Sequence, residues 1–66
     1  MTVPEVLARV DAIKERAYDD ESAHGMEDDL RRDVLLAIAA RKTDDPQGIA
    51  AAALLTGAIE FSRWCA

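Results

Sequence analysis

Asp20, His24, Glu27 and Arg31 stand four, three and four residues apart. On a helix that spacing lines them up along one stripe, with Asp28 four residues beyond His24. A carboxylate beside an imidazole holds its proton and orients it, which is how a general base is built. The oxygen and nitrogen donors of Asp20, His24 and Asp28 could equally ligate a divalent cation. A plainer account competes with both. Acids in the first turns of a helix are favoured by its dipole. Glu27 and Arg31 form an ordinary i,i+4 pair, worth a few tenths of a kcal/mol. No second imidazole or thiolate accompanies His24, and Ser22, two residues away, points in another direction, so no nucleophile meets a base. The stripe of Asp20, His24, Glu27, Asp28 and Arg31 therefore reads as a partner-binding surface. No catalytic residue and no cofactor are assigned, and the metal question stays open.

The elements that must carry this stripe are helical. Thr2-Val3-Pro4-Glu5 is a helix start: Thr2 caps, Pro4 falls in the first turn, and Glu5 completes a capping box. Apolar residues follow at Val6, Leu7, Val10, Ile13 and Ala17, a helical period that predicts helix one over 3–18. Asp19 or Asp20 caps the next helix. Its apolar side is Ala23, Met26, Leu30, Val34, Ala37 and Ile38, continuing to Arg41, which predicts helix two over 20–42. Gly25 is its weak point, at ~1 kcal/mol against Ala. Asp45-Pro46 opens a third helix over 46–56, ended by Gly57. Ile49, Ala50 to Ala53, Leu54 and Leu55 leave that helix without a polar face, so it should be buried on more than one side. The expected core is Val6, Leu7, Val10, Ile13, Met26, Leu30, Val34, Ile38, Ile49 and Leu54. Alternation of Ile59, Phe61 and Arg63 suggests an extended tail, with a helical turn as the alternative. Phe61 and Trp64 should close the core, with a binding anchor as the alternative. Cys65 reads as an inert thiol, because nothing nearby would lower its pKa.

Charge is placed unevenly. Between Asp19 and Asp33 stand seven acids and two bases, which account for the whole net charge of −5, and the rest of the chain holds six of each. A phosphate backbone would be repelled there, so no nucleic-acid partner is expected. A basic protein surface would be attracted. No signal sequence or membrane-length apolar run is visible, so the expected setting is cytoplasmic, with no membrane partner.

With 66 residues and a single cysteine, one small core must hold the domain without an intrachain disulfide. The remaining source of stability is a partner. The expectation is an all-α, three-helix small bundle in a single domain over 1–66, oligomeric, with a homodimer as its simplest form.

The stretch from Asp19 to Leu30, with the apolar run Val34-Leu35-Leu36-Ala37-Ile38-Ala39 and the ending Ile59-Glu60-Phe61-Ser62-Arg63-Trp64-Cys65-Ala66, resembles small uncharacterised proteins of actinobacteria and their phages. The resemblance implies no activity. It does imply that the His24 stripe and the Arg63-Trp64 ending are the parts that matter, which adds Arg63 and Trp64 to the partner-binding set. The function this favours is a non-catalytic interaction module docking on a host or phage protein. The alternative is a small metal-binding or enzymatic subunit built on Asp20, His24, Glu27 and Asp28.

Overall fold

The computed structural model describes residues 1–63, so Trp64 and Cys65 lie outside the described residues. Three helices form: α1 (Val3–Glu15), α2 (Asp20–Ala39) and α3 (Pro46–Leu54), followed by one 3₁₀ turn (Leu55–Ala58). No strand occurs among the described residues. Each helix packs on both of the others.

All three starts are set by side-chain caps. The Glu5 amide donates to Thr2 Oγ1 at 3.3 Å, and the Thr2 hydroxyl donates to the Glu5 carboxylate at 3.2 Å. Ser22 donates its amide and its hydroxyl to the Asp19 carboxylate, at 3.2 and 3.0 Å. The Gly48 amide donates to Asp45 Oδ1 at 2.8 Å. A Cβ at Gly48 would run into that carboxylate, so a larger residue there would displace the Asp45 cap.

The helix ends depart from expectation. α1 stops at Glu15, not near Tyr18. Amides of Arg16 and Ala17 reach back only three residues, to Ile13 and Lys14, and the chain tightens into a turn that frees Asp19 to cap α2. α2 stops at Ala39, not Lys42. Arg41 adopts a left-handed conformation, φ 56°. The Lys42 amide then donates to the Ala37 carbonyl and the Arg41 amide to the Ile38 carbonyl, which is a Schellman closure. Arg41 therefore belongs to the turn rather than to the apolar side of α2. α3 gives way to the 3₁₀ turn one residue before Thr56, and Gly57 lies inside that turn instead of ending the helix. Beyond it Ile59 is extended, φ −81° and ψ 128°, as the alternation suggested.

Val6, Val10, Ile13, Leu30, Val34 and Ile49 are buried as expected, with Met26 and Ile38 packed at the edge. Leu7 and Leu54 are corrections, at 40% and 70% exposed. The inner stripe of α1 runs through Val6, Val10 and Ile13, and Leu7 falls beside it. On α3 the buried residues are Ile49, Ala52 and Ala53, and the side bearing Leu54 and Leu55 faces outward. The all-apolar third helix is thus covered on one side only. Ala23, Ala52, Ala53 and Ile59 complete the core.

Candidate functional site

Among the described residues two polar ones are fully enclosed with the core: Glu27, 2% exposed, and Thr56. Glu27 lies on the inner side of α2, and a buried carboxylate must find charge and hydrogen bonds to compensate its lost hydration. It finds them in the tail. Arg63 Nε donates to Oε1 at 2.8 Å and Nη2 to Oε2 at 3.0 Å, a two-pronged guanidinium–carboxylate pair. The same guanidinium gathers the chain around itself. Nη2 also donates to the carbonyls of Thr56 and Ile59, at 2.8 and 3.0 Å, and Nη1 to that of Phe61 at 3.3 Å. Its carbon stands 3.9 Å from the centre of the Phe61 ring, a cation–π contact. Arg31, one turn along α2, stands 3.7 Å from Glu27 and donates to the Thr56 hydroxyl at 3.3 Å. That hydroxyl in turn donates to the Ala53 carbonyl at 3.1 Å.

The Arg63 hydrogen bonds hold the Glu27 carboxyl below its ordinary value of 4.5. Burial pushes the other way and loses, while the nearby Thr56 hydroxyl and the charges of Arg31 and Arg63 add to the lowering. Arg63 is held still more firmly in its charged form by the same bonds. Both carboxylate oxygens accept from a permanent cation, and the side chain is closed off from solvent, so a substrate proton or a metal ion has no open path to Glu27.

Asp20 also serves the tail: its Oδ1 accepts the Ser62 amide at 3.0 Å. Asp20, Glu27, Arg31 and Arg63 are thus brought together around one strap of chain, residues 59–63. His24 and Asp28 form a separate pair, Nε2 to Oδ2 at 3.4 Å, with the histidine side chain 15% exposed and the aspartate 65%. His24 Nδ1 is buried and meets no hydrogen-bond partner among the described residues. No group of three or more histidine, cysteine, aspartate or glutamate side chains is arranged to hold a metal ion among the described residues. Trp64, assigned to the same surface from the sequence, lies outside the described residues.

The i,i+4 pair of Glu27 with Arg31 forms, at 3.7 Å, but the placing of Glu27 on a partner-binding surface is corrected: it is buried, and its main partner, Arg63, is 36 positions away. Thr56 was missed, and the available signal was a lone hydroxyl closing an otherwise apolar helix. The ion pair between Arg9 and Asp33, 2.9 Å, which ties α1 to α2, was also missed.

No protein-family model matches the chain, and neither a curated protein nor a solved structure matches it. Among the described residues, no helix is long and apolar enough to cross a membrane.

Proposed function

We propose that this chain is a cytoplasmic, non-catalytic protein-interaction module whose acidic helix α2 recognises a basic surface on a host or phage protein. The observation that carries the reading is the closure of the Glu27 site. Of the residues with the composition of a site, Asp20 and Glu27 are spent on holding the tail in place, and His24 and Asp28 pair with each other. Over its first half α2 leaves acid to solvent: Asp20, Glu21, Asp28 and Asp29 are exposed, ahead of the exposed Arg31 and Arg32. Charges so placed steer encounter and set partner choice more than they add affinity. The metal-binding or enzymatic alternative has no geometry in its favour, because its four residues are divided between two separate contacts.

Capture from the source cells, read by mass spectrometry, tests the reading. A basic partner should be retained at low salt, lost as salt rises, and lost with Asp28→Lys/Asp29→Lys while the helical circular dichroism is unchanged. Turnover of any substrate, or a metal-dependent rise in melting temperature that vanishes in His24→Ala, would sink it.

A further inference from the structure

Arg63 closes a pit. The Glu27 side chain at the bottom is 2% exposed, whereas that of Arg63 is 34% exposed. The guanidinium is therefore a stopper that solvent reaches from outside. We propose that this pit is an arginine-recognition site, held shut by the chain's own Arg63, and that a basic partner opens it by putting an arginine of its own in that place. The inference rests on the interaction-module reading and names the side chain by which the partner is recognised.

Three observations support an exchange of one arginine for another. The first is that stability does not require the pair. Two apolar side chains of similar volume serve a core as well as a buried carboxylate and its cation. What the carboxylate adds is selectivity for the group that answers it. The second is the source of the acceptors. Glu27 takes Nε and Nη2 at 2.8 and 3.0 Å, and the Thr56 and Ile59 carbonyls take Nη2 at 2.8 and 3.0 Å. These residues have anchors of their own: Glu27 lies in α2, Thr56 lies in the 3₁₀ turn, and Ile59 is buried in the core. Their arrangement fits the planar fork of a guanidinium rather than the point charge of an ammonium. The third is the part that must give way, residues 60–63. Glu60 is exposed, Phe61, Ser62 and Arg63 are half-buried, and the Ser62 amide rests on the exposed Asp20. Lifting this segment frees Asp20 for a backbone amide of the partner. Lifting with no arginine to follow leaves Glu27 only the more distant Arg31, 3.7 Å away at the end of an apolar groove walled by Leu35 and Leu54. The pit therefore stays shut until a second guanidinium arrives.

The probe is a capped peptide with the sequence of residues 60–63, beside a twin carrying lysine in place of its arginine. The receptor is the full chain with Arg63→Lys, which keeps a cation on Glu27 but gives up the fork. Titration followed by NMR should show the arginine peptide binding this variant at least ~10-fold more tightly than the native chain, because it displaces a weaker occupant. The lysine twin should bind the variant at least ~10-fold more weakly than the arginine peptide. Glu27→Gln in the same background should abolish that preference. Should Arg63→Lys disturb folding, the native chain decides. At ~10 mM, comparable to the effective concentration of a tethered tail, the arginine peptide should quicken hydrogen exchange at the Ser62 and Arg63 amides. The helix amides should keep their protection, and the lysine twin should do neither. Equal binding of the two peptides, binding indifferent to Glu27→Gln, or strap exchange unmoved by the arginine peptide overturns the proposal. These results do not depend on the natural partner. A pit that takes arginine in a chain that captures no basic protein leaves the site standing and removes the interaction reading. Capture that needs Asp28 and Asp29 but is indifferent to Arg63→Lys does the reverse.

Discussion

The two ends of α2 solve burial in opposite ways. Near its start the helix points a carboxylate inward, and the tail closes over it with a guanidinium. Near its finish it carries Leu35 and Leu36 outward, at 67% and 54% exposed, and nothing among the described residues covers them. Apolar surface left in water costs about 25 cal/mol per Å² without threatening the fold. A buried charge left unpaired is far more expensive. The tail is therefore committed where its absence would be least tolerable, and the leucines are left available for another molecule.

The largest test of that contrast is Arg63→Ala. It strands Glu27 away from water, and the loss should be on the order of 3 kcal/mol, read by urea unfolding. Glu27→Leu/Arg63→Leu should recover most of it, because the pair is removed rather than broken. A loss below about 0.5 kcal/mol for Arg63→Ala would mean that Glu27 is hydrated, and the contrast would collapse.

Acid attacks the same end. The Glu27 carboxyl is held below 4.5 when folded, so its contribution is complete above that pH and disappears as the pH falls through the lowered value. Asp19, lowered from 3.8 by the Ser22 amide and hydroxyl, acts in the same direction. Thermal melts should be flat between about pH 7 and 5 on account of these groups and fall steeply below about pH 4. In Glu27→Leu/Arg63→Leu the fall should be shallower.

Thr56→Val probes the seam between the two ends, since Arg31 reaches from the groove to the Thr56 hydroxyl. Loss of about 1 kcal/mol is expected, because the valine removes one hydrogen bond and leaves Arg31 short of an acceptor. The smallest effect belongs to the open face. Leu54→Gln should change the stability of dilute protein by less than about 0.5 kcal/mol. A loss above 2 kcal/mol would show that Leu54 is a core residue after all.

Sequence reasoning reached the parts of this molecule that are decided locally. Thr2, Asp19 and Asp45 announce their helices because a cap acts on amides only three residues away. Helix ends were less legible. Nothing in Ala39-Ala40-Arg41 marks a left-handed turn, which glycine would have marked, and Arg41 continued the apolar spacing until the chain reversed. Leu54 and Ala53 look alike in an all-apolar run, and only the approach of α1 and α2 decides which is covered. Glu27 was the deepest miss. Its spacing to Arg31 is identical whether the side chain lies in water or in the core, and the residue that settles the matter is in the tail. The ending had drawn notice to Arg63, but no local rule connects it to Glu27.

The distance along the chain between Glu27 and Arg63 has a bearing on how the protein is assembled. Contacts of such separation carry a large loop-closure cost and form late. Until the tail arrives, the hairpin of α1 and α2 points at its own interior a carboxylate that only the more distant Arg31 offsets, which discourages it from collapsing prematurely or adhering to another half-made copy. Pulse-labelled hydrogen exchange should accordingly show the amides of both helices gaining lasting protection together with those of the strap, as one cooperative unit rather than two.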